Sequence, residues 1–211
     1  MKKLVLMLLA AAVVFTPAVA QADTLNVGDT VQVQAGASRY GNGGEFILFD
    51  LTNPASPASF ATFCIESDEY LNFGVNLEVI GIGTAAIAGG SGGPEPDPLD
   101  ERTAFIYTMY RTGNPYGWTG EVVQQAVWFI EQEITDEPVA FMAALPGLMD
   151  DHDWSGLGQV RALNIYWAGN ASYTEVGDGQ DLLVFVPDGG MTLMLLGGAL
   201  MGLGALRRKI R

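Results

Sequence analysis

The chain has 211 residues with one cysteine and one histidine, which excludes an intramolecular disulfide and most zinc sites. Its formal charge is −14, but six of its ten basic residues lie at the two ends, and residues 23–188 hold all 24 acidic residues against four arginines, a formal charge of −20. A segment this acidic repels phosphate backbones, which excludes nucleic-acid binding.

The N-terminus has the three parts of a secretory signal peptide. Lys2 and Lys3 precede an apolar stretch at 4–15, and the small residues at 18–22 offer cleavage sites after Ala20 or Ala22. We therefore predict a signal peptide over residues 1–22 and export by the Sec route. A permanent membrane helix is the alternative, but the apolar run is short for one.

The next part of the chain alternates apolar and polar residues between turns, a pattern that predicts strands. The predicted strands cover 25–27, 31–34, 45–51, 60–65 and 77–82. A turn at 41–44 separates the second strand from the third. Residues 89–98 are rich in Gly, Ser, Pro and acids, which indicates a loop and a boundary between lobes.

Two capped helices follow this loop. Asp100 and Thr119 are the predicted N-caps of helices over 101–111 and 120–135. In the second helix, Val123, Val127, Ile130 and Ile134 form a core-facing stripe. Further along, we predict a short helix at 139–149, an acidic loop at 150–158, and strands at 160–167 and 182–186. The predicted fold class of the exported body, residues 23–185, is α+β: a β-rich lobe, sandwich or partial barrel, with a small helical insertion.

A second tripartite signal closes the chain over residues 186–211. The motif Val186-Pro187-Asp188-Gly189-Gly190 precedes an apolar run at 191–206, and the basic residues Arg207, Arg208, Lys209 and Arg211 follow it. Sixteen apolar residues reach about 24 Å as a helix, so we predict a short transmembrane segment whose basic end stays in the cytoplasm.

This tail resembles the PEP-CTERM class of exosortase sorting signals, and among them the variant with Val-Pro-Asp at the motif. The resemblance implies a Gram-negative bacterium that makes extracellular polysaccharide. It also implies an inner-membrane intermediate, which an exosortase-type sorting enzyme cuts near the motif. The body would then pass to the cell surface or the extracellular matrix of a biofilm. An ordinary tail anchor is the alternative.

Cys64 lies in Phe63-Cys64-Ile65-Glu66, inside a predicted strand. In an oxidising compartment a lone cysteine is buried, paired with another chain, or consumed chemically. Considered alone, Cys64 is best explained as a small buried hydrophobe, because free cysteine is among the most buried residue types.

The second helix contains Val123-Gln124-Gln125-Ala126, which resembles the Thr/Val-Gln-x-Ala pattern of thioester domains in bacterial surface adhesins. Phe63-Cys64 is similar to the aromatic-Cys motif of that family, and Tyr107-Thr108-Met109-Tyr110 to its Tyr-Thr-x-Tyr stretch. The resemblance implies an internal thioester between Cys64 and Gln124, formed with loss of ammonia. An amine carried by a surface protein or glycan would later attack the thioester at the Gln124 carbonyl. Gln125 fits less well, because Ala126 and Trp128 have the family spacing only from Gln124. The structural alternative is a pair of exposed glutamines on an ordinary helix.

Such coupling is a single-turnover reaction, so we predict a surface adhesin with no enzyme activity, no cofactor and no metal. The alternative is a non-covalent matrix component whose acidic surface binds glycan or calcium. The acidic clusters at 95–101 and 150–153 lack the spacing of a calcium loop, which favours solvated loops there. A hydrolase is disfavoured because His152 is the only histidine available as a base.

Overall fold

The structure is a computed structural model, and it describes residues 23–52, 58–69, 71–87, 90–91, 96–167 and 179–186. The signal peptide predicted at 1–22, the rest of the sorting motif after Val186, the apolar run and the basic tail lie outside these residues. Among the helices within the described ranges, none has the length and apolar character needed to cross a membrane.

The described residues form eight strands and three helices in chain order. They are β1 (Thr30–Tyr40), β2 (Gly43–Asp50), β3 (Ala58–Thr62), β4 (Leu77–Gly83), β5 (Ala85–Ala86), β6 (Asp97–Pro98), α1 (Glu101–Arg111), α2 (Gly120–Ile130), α3 (Val139–Asp151), β7 (Val160–Trp167) and β8 (Gly179–Phe185). A β-rich body with an inserted group of helices between β6 and β7 confirms the predicted α+β class.

Six of the strands form one antiparallel sheet in the order β3-β2-β1-β4-β7-β8. The two outer strands also meet each other just beyond the end of β3. The Leu183 N–H donates to the Phe63 carbonyl at 3.1 Å, the Ile65 N–H donates to the Asp181 carbonyl at 2.8 Å, and Cys64 pairs with Leu182. The two outer strands of the sheet order, β3 and β8, are therefore joined by hydrogen bonds at the end of β3. This closes the sheet into a small barrel and leaves no open edge there.

The core has two layers because successive residues of a strand face opposite sides. On β8, Leu182 and Val184 belong to the cluster that includes Val31, Leu48 and the other residues inside the barrel. Leu183 and Phe185 belong to the second cluster, against the helices. All seven residues of β8 are buried, which explains why this strand has a continuous apolar run instead of an alternating pattern.

Helices α1 and α2 begin where their caps predict. The Asp100 carboxylate accepts the Arg102 N–H at 2.8 Å, and α1 has both predicted bounds. Helix α2 starts at Gly120 as predicted but ends at Ile130, so the predicted end near 135 is wrong. The chain turns out of the helix because Gln132 adopts a left-handed φ of 68° and the Glu133 N–H donates to the Trp128 carbonyl at 2.8 Å.

The predictions for two short segments, a strand at 25–27 and a loop at 89–98, are also wrong. Residues 25–27 form no strand, because the Asp29 carboxylate accepts the Asn26 N–H at 2.7 Å and holds the segment in a turn with Val27 exposed. The predicted loop at 89–98 contains β6, which pairs with β5 over two residues. Neither strand of that pair is long enough to show a periodic pattern.

The two ends of the predicted exported body are bonded to each other. The Asp23 N–H donates to the Phe185 carbonyl at 3.0 Å, and the Phe185 N–H donates to the Asp23 carboxylate at 3.0 Å. Arg111 forms a salt bridge with Asp23 at 3.1 Å. The first residue after the predicted signal peptide is thus held against the strand that leads directly into the sorting motif.

Candidate functional site

Cys64 lies where the chain leaves β3 to bond with β8. Its side chain belongs to the core inside the barrel and is 2% exposed. The preceding residue, Phe63, points to the other layer, where the rings of Tyr107 and Tyr110 on α1 meet it edge-on at centroid distances of 6.4 and 5.0 Å. The aromatic neighbours on α1 therefore fix the backbone that carries the cysteine.

Gln124 lies in the second turn of α2, which Thr119 caps by accepting the Val122 N–H. The Gln124 side chain is fully buried and reaches the Cys64 backbone. Its Oε1 accepts two hydrogen bonds, from the Cys64 N–H at 3.0 Å and from the Gly44 N–H at 3.1 Å. Its Nε2 donates to the Cys64 carbonyl at 2.9 Å. The structure thus brings together the two residues that the sequence motifs singled out, 60 positions apart.

The Cys64 thiol lies beside the same two backbone N–H groups. Burial and the charge of Glu69 raise the pKa of the thiol well above its usual value, while the Gly44 N–H, the Cys64 N–H and Arg39 act in the opposite direction. The two N–H groups that donate to the Gln124 carboxamide oxygen therefore also favour the thiolate form of Cys64. The balance keeps the thiol protonated at neutral pH.

A cavity of about 220 Å³ opens next to Cys64. Aromatic and aliphatic side chains form one part of its wall, and polar groups of both charges the other. Its lining includes Arg39, Glu69, Phe73, Trp128 and Gln180. The cavity gives a small group access to an otherwise buried sulfur.

Gly43 allows Trp128 and Gln124 to pack directly on the β1–β2 hairpin. A Cβ at Gly43 would overlap the indole ring of Trp128 and lie 3.2 Å from the Gln124 side-chain carbon Cδ. We expect Gly43→Ala to lower the free energy of unfolding by about 1–3 kcal/mol, because overpacking forces the indole to move. Gly83→Ala is the matched control, since nothing lies within 4 Å of its added Cβ. Equal urea midpoints for the two variants would contradict this account.

A group of buried carboxylates lies close to Cys64 and Gln124, and the sequence motifs did not bring its members together. Glu66, Glu133, Asp97 and Asp181 are all less than 10% exposed. Burial, together with the charges of Glu133, Glu69 and Asp181, raises the pKa of Glu66 to about 9. Burial and the charge of Asp181 likewise raise the pKa of Glu69 to about 9. The sequence signals were the local run Glu66-Ser67-Asp68-Glu69 and the acidic cluster at 95–101, and neither reveals its distant partners. The solvated loop predicted at 95–101 is wrong for Asp97, because its side chain is buried.

The other acidic candidates have ordinary structural roles. Asp100 caps α1 and pairs with Arg102 at 2.7 Å, and Glu101 accepts the Gly156 N–H at 2.8 Å. His152 bonds to the Tyr116 hydroxyl at 2.8 Å and does not line the cavity beside Cys64. Within the described ranges, no cluster of three or more acidic, histidine or cysteine side chains has the arrangement of a metal site.

The chain is an exported protein of the cell surface, and its body is a small α+β barrel. Its C-terminal tail is the signal that directs it to the surface. Residues 186–210 match the VPDSG-CTERM motif, a sorting signal of the PEP-CTERM kind. The chain has glycine at position 189, where that motif is named for serine. The match supports processing by an exosortase-type enzyme after a membrane-associated intermediate. No curated protein and no solved structure shows significant similarity to the chain.

Proposed function

We propose that this exported surface protein forms an internal thioester between Cys64 and Gln124 and uses it to attach covalently to an amine. The observation that carries the proposal is the buried Gln124 carboxamide, which makes three hydrogen bonds to the backbone of Cys64 and Gly44. A glutamine that served only as a helix former would have no need for this arrangement.

The bond forms by attack of the Cys64 sulfur on the Gln124 Cδ. A C–S bond is made and the Cδ–Nε2 bond breaks, so the amide nitrogen leaves as ammonia with the proton of the thiol. Negative charge develops on Oε1 during the attack, and the Gly44 and Cys64 N–H groups already point at that oxygen. In enzymes, one such donor is worth about 10²–10³ in rate.

The raised pKa of the thiol works against this step because the thiolate is the nucleophile. Holding the two groups in one buried site compensates, since well-oriented neighbours react as if at very high concentration. Thioester formation is therefore expected to be slow and to become faster as the pH rises. It needs to happen only once in each molecule.

Coupling then requires an amine to reach the thioester, and the cavity beside Cys64 provides the entrance. The amine nitrogen bonds to the Gln124 Cδ, and the sulfur leaves and recovers a proton as a thiol. The product is an amide that joins the two molecules. A primary amine with an apolar stem suits a cavity lined by Phe73 and Trp128, with Glu69 also in its wall.

The test is the intact mass of the exported protein, purified in mild detergent. The mass should be lower than that of the processed sequence by one ammonia, and methylamine should convert Gln124 into its methylamide and free the Cys64 thiol. Cys64→Ala should have the full mass and should not react with methylamine. Gln125→Ala should show the same mass deficit and the same reaction with methylamine as the wild type. A full-mass wild type with a maleimide-reactive thiol after unfolding would refute the thioester. The non-covalent matrix role would then be the better explanation.

A further inference from the structure

We propose that the Glu69 carboxyl group carries the proton in the coupling reaction, from the attacking amine to the departing Cys64 sulfur. The inference rests on the thioester proposed above and names the group that moves the proton in it. Coupling turns an amine and a thioester into an amide and a thiol, so one proton must pass from nitrogen to sulfur. Cys64 is 2% exposed, which leaves bulk water poorly placed for this transfer.

Among the described residues of the cavity wall, Glu69 is the one group besides the thiol that can exchange a proton near neutral pH. Three of the lining residues have titratable side chains: Arg39, Cys64 and Glu69. Arginine keeps its proton in proteins, and the cysteine is the reacting group itself. His152, the single histidine of the chain, does not line this cavity. The proton carrier is therefore Glu69 or water that enters the cavity.

Backbone pairing holds the Glu69 carboxyl group near the reacting cysteine. Cys64 pairs with Leu182 across the closed edge of the barrel. One residue further along, the Ile65 N–H donates to the Asp181 carbonyl at 2.8 Å. The Asp181 N–H in turn donates to the Glu69 Oε2 at 2.7 Å. This bond fixes one carboxyl oxygen next to the strand pair that carries Cys64, and it leaves Oε1 to hold the proton.

The surroundings of Glu69 favour the protonated form that the transfer needs. Burial and the charge of Asp181 raise the pKa of Glu69 to about 9, although the hydrogen bond from the Asp181 N–H acts in the opposite direction. The charged groups around it are mostly acids from several segments, with one cation in the cavity wall: Asp68, Asp181, Glu66, Glu133 and Arg39. Glu69 therefore holds a proton at neutral pH, at a pKa close to that of a thiol, which suits proton transfer between them.

The transfer leaves Glu69 as it was before the reaction. The amine nitrogen bonds to the Gln124 Cδ, the Cδ–Sγ bond breaks, and Oε1 of the protonated carboxyl group gives its proton to the departing sulfur. The carboxylate formed in this way accepts the extra proton of the new amide nitrogen. Burial and the charge of Glu69 raise the pKa of the Cys64 thiol. The sulfur consequently leaves more easily as a thiol than as a thiolate.

The experiment follows coupling to hydroxylamine by intact mass, with the full chain in mild detergent. Hydroxylamine is already unprotonated above neutral pH, so the pH profile of the rate reports the protein and not the nucleophile. At pH 7, Glu69→Gln should couple about 100-fold more slowly than the wild type, the usual contribution of a general acid. Its amide oxygen can still accept the Asp181 N–H, which preserves the fold. Glu78→Gln, at an exposed position on β4, should couple at the wild-type rate.

The pH profile distinguishes a proton carrier from a residue that only shapes the cavity. The wild-type rate should fall by about tenfold per pH unit above the pKa of Glu69, because the acid form is lost. Glu69→Gln should show no such fall, and circular dichroism at each pH checks that both chains stay folded. If Glu69→Gln does not fold or does not form the thioester, Glu69→Asp replaces it. That variant keeps a carboxyl group and should retain the fall at a shifted pH.

The mass of the unreacted wild type separates this inference from the thioester itself. A wild type that lacks one ammonia but couples at the same rate and with the same profile as Glu69→Gln would overturn the role of Glu69 and leave the thioester standing. A wild type of full mass would refute the thioester, and with it the proton transfer.

Discussion

Gln124→Leu should lower the free energy of unfolding by about 3–6 kcal/mol, even in a protein that has no thioester. Leucine fills a similar volume but leaves the Gly44 N–H, the Cys64 N–H and the Cys64 carbonyl without their partner. Each orphaned buried polar group costs about 1–3 kcal/mol. Urea unfolding of the variant in a Cys64→Ala background measures this effect without any contribution from the covalent bond.

The neighbouring glutamine is the matched control. Gln125 is partly exposed, and its amide bonds to the backbone and side chain of Asp136 at the surface. Gln125→Leu should therefore change the free energy of unfolding by less than about 1 kcal/mol, as is usual for surface positions. Similar losses in the two variants would mean that the Gln124 carboxamide does not stabilise the barrel, and would weaken the argument for a preorganised site.

The parts of the fold that could be predicted from the sequence were those with local causes. The caps of α1 and α2 are single residues next to the helices they start, so Asp100 and Thr119 located both N-termini. The end of α2 could not be located in this way, because the apolar spacing continues to Ile134 while the chain has already turned at Gln132. A side chain that packs on the core from a loop gives the same pattern as one on a helix.

Barrel closure is a long-range property and had no local sign. It depends on hydrogen bonds between residues near Cys64 and residues near Leu182. The alternating strands were compatible with a sandwich or a barrel. Only the bonding between the end of β3 and β8 distinguishes the two architectures. Such contacts are set by the topology as a whole, not by the residues of either segment.

The candidate site divides in the same way. Cys64 and Gln124 were singled out because each lies in a short motif, whereas the two backbone donors come from a hairpin with no motif. The partners of Glu66 were invisible, because Glu133 and Asp181 are distant in sequence and each looks like an ordinary surface acid in an acidic protein. Only the structure shows that they are buried together.

The free energy of unfolding should fall as the pH rises from 5 to 8. The folded protein raises the pKa of Glu66 to about 9, because the side chain is buried beside Glu133, Glu69 and Asp181. In the unfolded chain, glutamate titrates near its ordinary value of about 4.3. Between these values the folded state holds a proton that the unfolded state has released, so stability decreases with pH by about 1.4 kcal/mol per unit for each such proton.

Other groups act in the same direction within this window. Burial also raises the pKa of Glu69 to about 9 and that of Glu131 to about 7. The hydrogen bonds and charge of Arg102 lower the pKa of Asp100, despite an opposing effect of burial. The stability that Asp100 contributes is lost only as the pH falls below the ordinary pKa of an aspartate. Asp100 therefore affects unfolding in acid and not between pH 5 and 8.

Urea unfolding at pH 5, 6, 7 and 8 measures this dependence, which should amount to about 4 kcal/mol over the three units for each proton that the folded state holds throughout. Glu66→Gln should flatten the slope by about 1.4 kcal/mol per unit, and Glu78→Gln should leave it unchanged. A flat or rising wild-type profile would show that the buried carboxylates are not under electrostatic strain.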